Sequence, residues 1–155
     1  LPFRVYISII KCILQQPMTT TLKTKNHAAF SLTYHVIFTV KYRHPVITAA
    51  MLESLQNVFA RTCKKWSCTL QECSGEKDHI HLLIDAHPSL NLARMIGNLK
   101  TVSARRIRQE FKTHLAHYYW RGIFWNGAYA VVSAGGHANI EQLIDYIRDQ
   151  EQPPA

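Results

Sequence analysis

The stretch Asp78-His79-Ile80-His81-Leu82-Leu83-Ile84-Asp85-Ala86 reads as a β-strand, and the fold follows from how its two faces differ. Side chains alternate along a strand, so His79, His81, Leu83 and Asp85 share one face while Ile80, Leu82, Ile84 and Ala86 take the other. The second face is wholly apolar, which predicts a sheet with its back on a hydrophobic core. The front then offers two neutral imidazoles, roughly 7 Å apart at Cβ, to a single ion or phosphate. Two histidines are equally consistent with the wet face of an ordinary antiparallel strand, so the rest of the chain has to decide.

Upstream, Phe30, Leu32, Tyr34, Val36, Phe38 and Val40 alternate with Ser31, Thr33, His35, Ile37, Thr39 and Lys41, the pattern of a long half-buried strand. After Tyr42-Arg43-His44-Pro45, apolar residues at 52, 55, 59 and 66, with Val58 and Cys63 filling in, predict a helix from about residue 48 to 66. A strand over 68–73 follows and turns through Ser74-Gly75-Glu76-Lys77 into the histidine strand as a hairpin. Ser89 or Asn91 caps a second helix that carries Leu92, Ile96, Leu99, Ile107 and Phe111 inward. Residues 128–134 supply a fourth strand, Gly135-Gly136 ends it, and 139–150 forms a last helix. Strand, helix, strand, strand, helix, strand is the ferredoxin-like split βαβ order of the α+β class. It predicts a four-stranded antiparallel sheet with two helices on one face, plus the C-terminal helix.

The chain has 155 residues of which 47% are hydrophobic, enough for one domain with a real core and hardly for two. Residues 27–155 are expected to form that domain. Residues 1–26 read as an N-terminal extension, partly disordered, and the start-like Met18-Thr19-Thr20-Thr21 makes the first seventeen residues look like upstream sequence. The apolar run from Val5 to Leu14 is short and interrupted by Lys11, so neither a signal peptide nor a membrane span is predicted, and a cytoplasmic protein is expected. Cysteines at 12, 63, 68 and 73 follow no secreted framework. A zinc site joining Cys73 to His79 and His81 lacks a supporting C-x-x-C pair.

A net charge of +8 points to an anionic polymer or surface as partner. From Arg94 to Arg121 seven basic residues (Arg94, Lys100, Arg105, Arg106, Arg108, Lys112 and Arg121) face one acid, Glu110, and Tyr118-Tyr119-Trp120 lies among them. A solvated helix face accounts for the charge; the neighbouring aromatics favour nucleic acid. In the last helix Ile140, Leu143, Ile144 and Ile147 span one arc, and Tyr146 and Gln150, four apart, sit together on its border. There they are either ordinary rim residues or groups able to project past the core edge.

Asp78-His-Ile-His-Leu-Leu-Ile84, Tyr34-His-Val-Ile-Phe-Thr-Val-Lys-Tyr-Arg-His-Pro-Val46, Asn98-Leu-Lys-Thr-Val-Ser-Ala-Arg-Arg106 and Tyr146-Ile-Arg-Asp-Gln150 together resemble the single-tyrosine HUH transposases of the smallest bacterial insertion sequences, the TnpA type. The resemblance spans residues 28–151 with the motifs in the family's order. It implies that Tyr146 is the nucleophile, that His79 and His81 are metal ligands with Gln150 as the third, and that the ion is Mg²⁺ or Mn²⁺. It further implies a homodimer acting on single-stranded DNA with hairpin ends. Candidate DNA contacts are Lys41, Arg43 and His44 in the first turn and Arg105, Arg106 and Arg108 on the second helix. A domesticated relative acting on dispersed genomic palindromes would share every motif. A non-catalytic RNA-binding module of the same topology would instead display stacking aromatics such as Tyr34 and Phe38 on its central strands. A zinc hydrolase would require a general-base carboxylate beside a third strong ligand.

Overall fold

A computed structural model describes residues 23–25 and 28–133 of the chain. A short ribbon comes first, β1 (Lys23–Lys25) paired antiparallel with β2 (Ala28–Phe30). The domain boundary expected at residue 26 lies between its two strands, and Lys23 Nζ forms an ion pair with Asp85 of the main sheet.

That sheet is built from β3 (Leu32–Val40), β4 (Thr69–Gly75), β5 (His79–Ala86) and β6 (Trp125–Ser133), antiparallel throughout, in the order β4-β5-β3-β6. Helix α1 (Ala49–Lys65) links β3 to β4, while α2 (Leu92–Glu110) and the short α3 (Lys112–Leu115) link β5 to β6. This is the expected α+β, ferredoxin-like sheet with two crossover helices; the last helix expected over 139–150 lies outside the described residues. Val36, Phe38, Val40, Ile80, Leu82 and Ile84 form one core with Met51, Leu55 and Phe59 of α1 and Met95, Ile96, Leu99 and Ile107 of α2. Each such side chain contributes about 1.5–3 kcal/mol on burial. A one-residue slip of β5 would exchange Ile80, Leu82 and Ile84 for the histidine face, so this core fixes the register that presents His79 and His81.

Local chemistry sets the element ends. Thr48 Oγ1 accepts from Met51 N at 3.2 Å and opens α1; Asn91 Oδ1 accepts from Arg94 N at 3.1 Å and opens α2, which decides between Ser89 and Asn91. At Gly75 an added Cβ would lie 2.5 Å from the carbonyl oxygen of His79, so only glycine lets the hairpin close against the start of the histidine strand.

The sequence pattern misplaces four details. In α1 Leu55, Val58, Phe59 and Cys63 are buried as expected, but at its first turn Met51 is buried and Leu52 only half-buried. Helix α2 stops at Glu110 because Phe111 leaves helical geometry at φ −119° and ψ 32°. Strand β6 begins at Trp125, three residues before the expected 128, and Trp125 Nε1 donates to Ser103 Oγ at 2.9 Å. Lastly, β3 is buried on both faces. It runs between β5 and β6, and on the histidine side Thr33, Ile37 and Thr39 are buried while His35 is half-buried.

Candidate functional site

His79 and His81 lie next but one on β5 and face each other, with ring centroids 5.0 Å apart and planes at 85°. Across the sheet Thr39 pairs with His79 and Ile37 with His81. The face is not wet: His79 keeps 2% and His81 6% of its surface. Thr39 Oγ1 is buried there with no hydrogen-bond partner among the described residues, and Nε2 of both imidazoles is buried as well.

The tautomer of His79 is set by Asp78, which sequence reading left without a role. Its Oδ1 lies 2.7 Å from His79 Nδ1 and its Oδ2 accepts from Arg43 Nε and Nη2 at 3.1 and 2.9 Å. Burial raises the Asp78 carboxyl, but the hydrogen bond from His79 and the charge of Arg43 outweigh it and bring the group down to about 2. An ionised carboxylate only accepts, so Nδ1 of His79 donates and, in the neutral ring, the lone pair sits on Nε2. Burial, and after it the nearby His79 and His35, push His81 down to about 3, so it is a neutral imidazole wherever the protein works. A carboxylate backing an imidazole whose far nitrogen carries the lone pair is the usual support of a metal-bound histidine. The pair therefore fits a divalent cation as two of its ligands.

Among the described residues no third His, Cys, Asp or Glu completes that set. Tyr146 and Gln150, the expected nucleophile and third ligand, lie outside the described residues. The zinc reading through Cys73 fails geometrically: Cys73 pairs with Leu82, on the helix side of the sheet, and burial raises its thiol to about 12. The RNA-module reading fails likewise, because Phe38 is fully buried beneath the helices.

Residues 28–150 match the family model described as "Transposase IS200 like". The chain belongs to the IS200-like transposase family. It is 30% identical over 124 residues to the ISDra2 transposase TnpA of Deinococcus radiodurans, covering 79% of this chain and 88% of that one. It is 26% identical over 128 residues to the transposase for insertion sequence element IS200 of Salmonella typhimurium, covering 83% and 82%. A crystal structure of a candidate transposase from Deinococcus radiodurans R1 superposes with a TM-score of 0.73 at 28% identity, covering 84% of this chain and 99% of that one. Membership makes DNA the partner.

The residues expected to meet DNA are spread over this transposase. Arg43 is committed to Asp78, held there by a turn in which Tyr42 and Arg43 adopt left-handed φ of 60° and 51°. Such backbone costs on the order of 1–3 kcal/mol and persists where the surroundings enforce it. Here Lys41 N donates to Phe124 O at 2.8 Å and Tyr119 Oη donates to Lys41 O at 2.7 Å. His44 sits among rings, with centroids 5.9 Å from Tyr42, 5.8 Å from Tyr118 and 5.6 Å from Tyr119. On α2, Arg105 is exposed, Arg106 is paired with Glu110, and Arg108 is half-buried. Arg43 is thus a positioning residue for the histidine site. A half-buried carboxylate next to a histidine pair was the available signal, and no periodicity reveals it.

Proposed function

We propose that this transposase cleaves and rejoins single-stranded DNA at the ends of its insertion sequence through a 5′-phosphotyrosine on Tyr146, with His79, His81 and Gln150 holding a divalent cation. The supporting observation is the buried imidazole pair whose first member is fixed in its metal-binding tautomer by Asp78.

In the cleavage step Tyr146 Oη forms a bond to the scissile phosphorus while the bond from phosphorus to the 3′ oxygen breaks. The 3′ oxygen leaves as a hydroxyl after taking up a proton, and the tyrosine proton is lost. One phosphodiester replaces another, so no nucleotide cofactor is required, and attack by a second 3′-hydroxyl reverses the step and releases Tyr146. When bound, Mg²⁺ or Mn²⁺ supplies electrostatic stabilisation of the phosphate oxygens, worth several kcal/mol. His81 contributes by staying neutral, and Asp78 with Arg43 keeps His79 turned correctly. Among the described residues no helix is long and apolar enough to cross a membrane. A cytoplasmic homodimer acting on hairpin-ended single strands completes the reading.

Incubating the protein with end-labelled single-stranded DNA and Mg²⁺ or Mn²⁺ should give a covalent adduct on denaturing gels. Tyr146→Phe should lose both adduct and cleavage while retaining DNA binding, because only the nucleophilic oxygen is removed. Cleavage by Tyr146→Phe would refute the assignment.

A further inference from the structure

Among the described residues only two large apolar side chains stand out in solvent, Tyr42 at 58% and Trp120 at 88% exposure. An indole held in water is out of keeping with a chain whose other tryptophans are packed, Trp66 half-buried and Trp125 buried. The backbone around Trp120 is well tied. Tyr119 is buried and its hydroxyl reaches Lys41 O, Ile123 N donates to Arg121 O at 2.8 Å, and Phe124 O accepts from Lys41 N. The Arg121 guanidinium carbon lies 4.7 Å from the Trp120 ring centroid, steadying the ring as a cation–π partner. Beside them runs a groove of about 510 Å³ whose charged lining is Arg108, Lys112 and Arg121, with no acid among the described residues that form it.

We propose that Trp120 is a stacking platform for an unpaired base of the single-stranded DNA substrate, with Arg108, Lys112 and Arg121 holding the phosphates on either side. This rests on the single-strand reading above and adds a binding residue to it. Every base offers a π-face, so a bare indole ringed by cations takes up an unstacked nucleotide without regard to pairing. A protein partner fits less well, since one tryptophan amid three like charges offers little apolar area to bury. The location also suits a strand that passes the histidines. Val40 pairs with Trp125 and Thr39 with His79, so the loop carrying Trp120 leaves the sheet at the same end as the histidine pair.

The test measures binding of fluorescein-labelled oligothymidylate, and of an abasic oligomer of equal length, to the full chain in EDTA. Trp120→Ala is expected to bind oligothymidylate about tenfold more weakly and Trp120→Phe within about threefold of wild type. The penalty that wild type suffers on the abasic oligomer should exceed that of Trp120→Ala by about tenfold, a readout that lost charge or altered folding would not give. Equal affinities of wild type and Trp120→Ala overturn the platform while leaving cleavage through Tyr146 standing. So does an unchanged affinity accompanied by a change of oligomeric state, which would make Trp120 a contact between copies. If wild type fails to bind single-stranded DNA at all, the proposed function falls, and the platform with it.

Discussion

Replacing Asp78 with alanine separates support of the histidine pair from the pair itself. The variant removes one acceptor 2.7 Å from His79 Nδ1 and one shared by two Arg43 donors at 3.1 and 2.9 Å, leaving the imidazoles in place. Loss of the carboxylate behind a metal-bound histidine lowers metal affinity about 10- to 100-fold, or about 1.4–2.7 kcal/mol. The fold should suffer less. Holding the Asp78 carboxyl at about 2 instead of 3.8 corresponds to about 2.5 kcal/mol in a dry site, and a side chain still 27% exposed brings that to about 1 kcal/mol after solvent screening. For a chain of this size the melting temperature should then fall by about 2–4 °C. Calorimetric titration of Mn²⁺ into the full chain and a thermal melt without metal read the two effects separately. Asp78→Asn, which keeps an acceptor, should fall between wild type and Asp78→Ala in Mn²⁺ affinity. If Asp78→Ala binds Mn²⁺ within about threefold of wild type and keeps its near-ultraviolet dichroism, Asp78 serves Arg43 alone and the support of His79 is refuted.

In the metal-free protein His81 should stay neutral between pH 8 and pH 5, because its folded value of about 3 lies below the unfolded 6.5; its imidazole NMR signals should not move over that range. The unfolded chain binds the extra proton, so His81 contributes stability above pH 6.5 that is lost as pH falls toward 3, and movement of its signals near pH 6.5 would contradict the burial account. Chelation, or His81→Ala, should stop cleavage; since His81 is buried, the substitution should also cost about 1–2 kcal/mol in a denaturant melt. Activity that persists in excess chelator would remove the metal role. Fully paired duplex of the substrate sequence should not be cut, because the scissile phosphate has to be reached on a bendable, unpaired strand, and equal cleavage of duplex and single strand would overturn this. Strand β6 lies at the sheet edge with β3 between it and the histidine strand, so a tyrosine from the segment after β6 is expected to serve the partner's histidines. Mixed dimers of Tyr146→Phe and His81→Ala protomers should then recover some cleavage; mixed dimers shown to form yet remaining inactive would rule out exchange between protomers.

Period-two alternation in β3 and β5 and helical spacing in α1 and α2 made the sheet, its two crossover helices and the face bearing His79 and His81 legible without coordinates. These patterns record a local fact, which side of each element avoids water, and the order of the elements then leaves few ways to assemble them. The family too was legible, because four short motifs in the right order carry more information together than any one of them. Burial of the histidine face was not, because alternation marks the apolar side and is silent on what happens to the other; His79 and His81, and Thr33, Ile37 and Thr39 of β3, turned out buried. Nor could the sequence assign Asp78 and Arg43, 35 positions apart, since their meeting depends on a left-handed turn at Tyr42 and Arg43 held by Phe124 and Tyr119 from a distant segment. The charge run over α2 showed the opposite limit. One-dimensional counting grouped its arginines, but a turn of 100° per residue disperses them, so Arg106 meets Glu110 while Arg108 joins Arg121 beside Trp120. Composition and period determined which faces exist; only tertiary contacts decided which polar groups are brought together on them, because those contacts join residues whose separation along the chain carries no periodic signal.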